Sequence, residues 1–520
     1  MKGTFRMGEQ MKQESRVKKS ILNARVNLIF YFLTLVLSFF SRKVFLDSLG
    51  ADFIGLTGSI GSLLGLLNLA ELGIGSAIGY VLYKPIFEQN KEKINEIISV
   101  FGYFYRWVGL VILIFGCILS LFLPRIFPDV EFGFGIIYFT YYSFLFSSLI
   151  GYFVNYRQTL LGADQKNYVV TAYFQTANIC KTLIQLALAY YWSNYYYWVL
   201  IEFIFGVLYA IILNWKINQV YPWLKSDVKN GRFLKIKYPE VITYTKQLFV
   251  HKIGEVTLSQ VTNFLVYAFG SLQSVAYYGN YTLITSKISV LVGNFLGSTT
   301  AGIGNLIAEG NKEKILKVYW ELTAINFFIA GICSIALYKL IPPFISLWLG
   351  PQYLMSDRIL LLVVIAFSLS LIRNSTSQFK YGYGLFSDVW SPIAESLILV
   401  IVAVVGGKLW GLDGVLLGGV ASTIVIIFGW QAYFLFSRGF KAKIWSYLYN
   451  YTKNACVLFA SYYLTKMVLS SSSIDDITIS WWALILYAVK LVGLYSFISF
   501  VLMVIFVPGM RFFIKRLLKI

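Results

Sequence analysis

Lys181, Lys252 and Lys287 each stand about ten or more residues inside long apolar runs. Arg42 and Lys43 close the first such run, Glu71 lies in the second, and Glu255 follows Lys252 by three positions. An ionised group near a bilayer centre costs roughly 2.5–3.5 kcal/mol on insertion scales, so it faces a cavity or a partner. Cations fixed in a wet cavity of low dielectric attract anions. Arginine grips phosphate bidentately, and lysine acts as a point charge. Arg42, Lys181, Lys252 and Lys287 are therefore candidate anion-binding residues, and Glu71 and Glu255 are candidates for ion coupling. Plainer roles stand beside these. Arg42 and Lys43 are placed to snorkel to headgroups, Lys252 and Glu255 to neutralise each other at i,i+3, and Glu71 to bond a neighbouring helix. Glu202, Glu321 and Glu395, near run ends, are expected to reach the headgroups.

No catalytic constellation accompanies these charges. Gly406-Gly407-Lys408 lacks the spacing and the Ser/Thr of a phosphate-binding loop. His251 is the single histidine, and the four cysteines (Cys117, Cys180, Cys333 and Cys456) lie in apolar runs without CxxC spacing. They read as packing residues, and no metal or cofactor is expected.

The elements that must position the charges are membrane helices. Of 520 residues, 58% are hydrophobic and 13% charged, about half the charged share of a soluble domain. The apolar blocks are long enough to cross about 30 Å of hydrocarbon as helices, and the alternation of a membrane β-barrel is absent. The pattern predicts spans at 21–46, 51–83, 96–122, 135–161, 168–191, 195–216, 242–268, 276–308, 315–341, 354–382, 389–409, 413–437, 447–469 and 481–507. That is an all-α membrane protein of about fourteen helices.

Net charge is +20, but 32 of the 44 Lys and Arg fall in the N-terminal arm, the even-numbered loops and the tail. Such a bias reports topology, not a nucleic-acid footprint, and makes both termini cytoplasmic. The basic arm followed by Arg42-Lys43 does not read as a cleavable signal peptide. Tyr190-Tyr191-Trp192 and Tyr195-Tyr196-Tyr197-Trp198 frame an outside turn as interfacial anchors.

Asn90-Lys91-Glu92-Lys93-Ile94 recurs as Asn311-Lys312-Glu313-Lys314-Ile315, 221 positions on, each copy after a glycine-bearing apolar run. Leu161-Gly162 is echoed by Tyr383-Gly384 at a similar spacing. A half-protein of six spans has been duplicated. The implied organisation is a basic arm (1–20), an N-lobe (21–216), a cytoplasmic linker (217–241), a C-lobe (242–437), and two further helices with a basic tail (438–520). Parallel repeats of this kind place a substrate site at their interface and rock against each other.

Fourteen spans behind a basic arm, Leu49-Gly50-Ala51-Asp52-Phe53-Ile54-Gly55-Leu56, Leu72-Gly73-Ile74-Gly75-Ser76-Ala77 and the run from Gly279-Asn280-Tyr281 to Ala308 resemble the bacterial polysaccharide or O-antigen flippases. These belong to the multidrug/oligosaccharidyl-lipid/polysaccharide exporter superfamily. The resemblance covers essentially the whole chain, with diffuse motifs. It implies two six-helix lobes around a V-shaped cavity, alternating access, residence in the bacterial inner membrane, and a polyprenyl-pyrophosphate-linked oligosaccharide as substrate. It also implies a lipid-tail groove at spans 13 and 14, cavity cations on the pyrophosphate with Arg42 nearest by position, and polysaccharide assembly proteins as partners. A drug/cation antiporter of the same fold is the alternative; a surplus of deep lysines over deep acids argues against it. A polysaccharide polymerase or ligase ranks third, since the longest outside loop, about Lys339 to Arg358, is short.

Overall fold

The computed structural model describes residues 16–67, 74–128, 132–164, 166–239, 241, 260–297, 303–304, 306–307, 309–385, 387–469 and 480–518. Among them there is helix and no strand. The long helices are α1 (Arg16–Leu67), α2 (Ile74–Phe87), α3 (Lys91–Ser120), α4 (Phe134–Phe153), α5 (Asn167–Trp192) and α6 (Tyr195–Val220). Beyond the middle of the chain come α7 (Leu272–Gly297), α8 (Lys312–Trp348), α9 (Asp357–Ile372), α10 (Trp390–Trp410), α11 (Leu412–Phe440), α12 (Ile444–Leu469), α13 (Trp481–Phe506) and the short α14 (Pro508–Leu517). Nine helices among the described residues are long and apolar enough to cross a membrane. α5, α7 and α12 have 26 residues each, which is length enough, but are more polar.

The lipid-facing surface is visible in side-chain exposure. Along α10, Leu397, Ile401, Val405 and Leu409 form a bare stripe at helical spacing, while Glu395, Leu399, Ala403 and Gly406 are buried. A helix whose outer face is its most apolar face has hydrocarbon outside, not water. The buried face is tight enough to need glycine. A Cβ on Gly414 would lie 2.0 Å from the carbonyl oxygen of Gly406, so α10 and α11 meet backbone to backbone.

The chain forms two compact units: residues 1–53 with 63–252, and residues 54–62 with 253–520. Residues 221–239, most of the expected linker, pack onto α3 of the first unit. α1 is two helices joined at Gly50, whose φ of 81° is non-helical, so the chain kinks where a loop is expected between spans 1 and 2; a residue with a Cβ would be strained there. α8, by contrast, runs on through Pro342-Pro343 to Trp348, so Lys339 lies within a helix, not in the expected outside loop.

The repeat has a structural counterpart. Asn90 and Asn311 each cap a helix, accepting from the amides of Lys93 and Lys314 at 2.9 and 3.0 Å. Each is preceded by a residue in the left-handed region, Gln89 at φ 53° and Gly310 at φ 75°. The fourth span of each half is broken at a polar stretch. α4 stops at Phe153 and resumes as Gln158–Ala163, and α9 stops at Ile372 and resumes as Asn374–Gly382.

Candidate functional site

In the first unit, α5 and α6 form an antiparallel hairpin. Ser193 turns the chain at φ 46°, and the Asn194 side chain accepts from the amides of Tyr196 and Tyr197, so the turn and the cap of α6 are one device. The hairpin brings Lys181 to Glu202, with Nζ 2.7 Å from Oε1. Gln185, one turn along α5, donates to Glu202 Oε2 at 3.1 Å and to the Trp198 carbonyl at 3.0 Å. Below the pair, α4, α5 and α6 enclose a cavity of about 450 Å³ lined by Asn155, Gln158, Asn178, Lys181, Glu202 and Tyr209, among others. The break in α4 forms its floor. Asn214 on α6 catches the released Val154 carbonyl and the Asn155 side chain, each at 3.0 Å. Arg157 donates to Asn214 Oδ1 at 2.6 Å and Asn218 Oδ1 at 2.9 Å.

This arrangement corrects two expectations. Glu202 does not reach the headgroups; it neutralises Lys181, because a carboxylate within a hydrogen bond of the ammonium offsets the desolvation of both. The cavity wall therefore carries a dipolar pair, not an isolated cation. One of the three ammonium donors is committed to Glu202. With the amides around it, the cavity suits a hydroxyl-rich neutral ligand better than a bare anion.

The other candidates lie elsewhere. Arg42 is half-buried on α1 beside the Lys43–Asp47 pair at 3.7 Å, and does not line this cavity. Lys287, in the second unit, is half-buried on α7. Lys252, Glu255, Glu71 and His251 lie outside the described residues.

The second unit holds charges that the sequence did not assign. Lys380, at the end of the predicted span 354–382, is buried and bonds Asp388 at 2.7 Å, both side chains nearly inaccessible at 6% and 1%. Glu321 and Glu395 are also buried and so do not reach headgroups. Glu321 meets Arg516 of α14 at 3.1 Å. Among the described residues, Lys181, Lys380 and Glu321 each pair with an opposite charge on another helix or turn.

The same unit contains an apolar groove of about 450 Å³ between α8, α9, α12 and α13, walled by Phe327, Ile335, Leu361, Leu458, Phe459 and Tyr495. Its hydroxyls are turned inward: Ser334 bonds Ser368 at 2.5 Å, and Ser368 bonds the Val364 carbonyl at 2.6 Å. A surface with satisfied polar groups and hydrocarbon walls accepts an alkyl or prenyl chain. Among the described residues, no group of three or more His, Cys, Asp or Glu side chains could hold a metal.

Lipid II flippase MurJ, in an inward closed conformation, has the same fold with a TM-score of 0.64 at 16% identity, over 97% of this chain and 100% of that one. An inward-facing multidrug resistance MATE family transporter of the MOP superfamily matches with a TM-score of 0.60 at 16% identity, over 80% of this chain and 98% of its own, so the two share a fold with this chain. A mutant of the Vibrio cholerae MATE transporter VcmN matches with a TM-score of 0.51 at 15% identity, over 82% and 99%. No protein-family profile matches the sequence, and no curated protein matches it. The chain is thus a multi-pass membrane protein with the architecture of transporters and flippases.

Proposed function

We propose that this chain is a flippase that moves a polyprenyl-pyrophosphate-linked oligosaccharide from the cytoplasmic to the outer leaflet of a bacterial inner membrane, for a cell-surface polysaccharide of the O-antigen or capsule kind. One observation carries this reading. The MATE match uses 98% of its own length yet leaves a fifth of this chain uncovered, whereas the lipid II flippase match runs almost end to end. That remainder is about the size of the C-terminal helices, of which α12 and α13 wall the apolar groove.

In this reading the prenyl tail lies in the groove and the glycan meets the amide-lined cavity of the first unit. Arg42, Lys252 and Lys287 remain candidates for the pyrophosphate, and Lys181 contributes to the glycan contact, not to a free positive charge. The two lobes alternate access, both termini lie in the cytoplasm, and Glu71 and Glu255 are candidates for ion coupling. Proteins that build or use the glycan are the expected partners.

The test is reconstitution of the full chain in vesicles containing a labelled polyprenyl-pyrophosphate oligosaccharide. Flipping makes lumenal glycan accessible to an added glycosidase, at unchanged glycan length. Uptake of a cationic dye under an ion gradient, without glycolipid movement, would assign the chain to drug/cation antiport instead. Lengthening of the glycan would mean a polymerase.

A further inference from the structure

We propose that residues 221–239, the segment that follows α6, form a docking surface for anionic lipid headgroups of the bilayer that the chain spans. This goes beyond transport and does not depend on what is carried. α3 has 30 residues, about 45 Å at 1.5 Å per residue, so roughly ten residues project past about 30 Å of hydrocarbon. The segment is fastened along that projection. The Lys225 amide donates to Asn95 Oδ1 at 2.7 Å, and the Asp227 amide to Ser99 Oγ at 2.8 Å. Gly231 approaches so closely that a Cβ there would lie 2.3 Å from the Ser99 carbonyl oxygen. Lys235 Nζ sits 5.5 Å from the centre of the Tyr103 ring. The short helix Gly231–Leu234 is therefore held where α3 enters the membrane.

What this fastened helix turns outward is unusual. Phe233 is 71% exposed and Ile236 78% exposed. Lys229 and Arg232, both exposed, flank them. Between residues 225 and 237 there are five basic side chains and one acid, Asp227; Lys237 is paired with Glu96 of α3 at 2.7 Å, which leaves Lys225, Lys229, Arg232 and Lys235. That acid is occupied with the Lys229 amide and the Asn230 side chain, each at 2.9 Å. Bare apolar tips within a basic ring, at the depth of the headgroups, match the boundary where acyl chains meet anionic phosphates. The charge complementarity selects a lipid surface over a neutral one, at about fivefold in affinity per basic residue near it.

The test is amide hydrogen exchange of the full chain in nanodiscs of phosphatidylcholine alone or with a substantial share of phosphatidylglycerol. Amides of residues 232–237 are expected to exchange at least about fivefold more slowly in the anionic discs, and the difference to vanish in molar salt. Lys229→Gln with Arg232→Gln, and separately Phe233→Ser with Ile236→Ser, should abolish the difference. The Lys225 and Asp227 amides should keep their protection, which shows that the segment is still fastened. Equal exchange in the two discs overturns the proposal. So does slowing by inorganic phosphate in neutral discs, which would mean a soluble anion, or slowing only on adding a cytosolic extract, which would mean a protein partner.

Discussion

Lys181 Nζ on α5 lies 2.7 Å from Glu202 Oε1 on α6, across the hairpin that walls the first unit's cavity. Both side chains are mostly buried, at 17% and 27% exposure, so removing one leaves the other charge without its partner. Breaking such a pair costs about 3–5 kcal/mol, whereas replacing both members is often nearly neutral. Lys181→Met and Glu202→Gln should each lower the unfolding temperature in detergent, and the double variant should recover most of the loss. Glycolipid flipping by the recovered double variant then separates roles. Retained transport would mean that the pair only holds the hairpin, and lost transport that the substrate uses it.

Arg516 and Glu321 make a different kind of pair. Glu321 is 2% exposed within α8, while Arg516, on the terminal α14, is 52% exposed. The acid therefore depends on the arginine more than the reverse. Arg516→Ala should destabilise by about 1–3 kcal/mol, the cost of stranding a buried acceptor, with water screening included. Glu321→Gln in the same background should restore much of this, since the neutral amide carries no stranded charge. Thermal unfolding of the three proteins checks the order, and equal losses in the single and double variants would contradict it.

Much of this architecture is legible in the residues themselves. Apolar run length locates the helices, and the NKEKI copies anticipate two caps of the same geometry at Asn90 and Asn311. Run length locates the break at Gly50 within α1 but does not reveal where a helix continues through a proline-bearing stretch, as α8 does at Pro342-Pro343. α8 continues because neighbouring packing decides what local propensity leaves open. The charges fared worse for a similar reason. Depth within a run identifies a residue that needs a partner, but the partner is chosen by tertiary pairing: Glu202 lies 21 positions from Lys181, and Arg516 lies 195 from Glu321. The apolar groove left no trace beyond composition, because its walls are the same leucines and phenylalanines that face lipid elsewhere.

Tyr221, just past the end of α6, donates its hydroxyl to Asp164 Oδ2 at 2.8 Å, and Lys166 holds the same oxygen at 2.8 Å. Burial first, then the Asp164 charge, pushes the phenol well above the ordinary tyrosine value near 10. A folded value raised above the unfolded one contributes stability fully present below about pH 10 and lost as pH rises toward the folded value. Tyr221→Phe should thus be less stable than the parent at pH 8, by about 0.5–1.5 kcal/mol for the lost hydrogen bond. The gap should narrow or reverse above about pH 10. Paired melts across that range measure it, and a gap constant to pH 11 would remove the linkage.

The apolar groove makes the prediction closest to function. Leu361, on α9, and Phe459, on α12, stand on its rim and are themselves exposed, so enlarging them narrows the groove without overpacking the core. Leu361→Trp with Phe459→Trp should leave the unfolding temperature nearly unchanged. If a long prenyl tail lies there during transport, flipping of a long-chain substrate should fall at least tenfold, about 1.4 kcal/mol. A substrate with the same pyrophosphate and glycan on a short tail should be spared, because it never needs the far end of the groove. An equal fall for both tails would mean that the groove serves the conformational cycle and not the lipid, and no fall for either would remove it from the transport path.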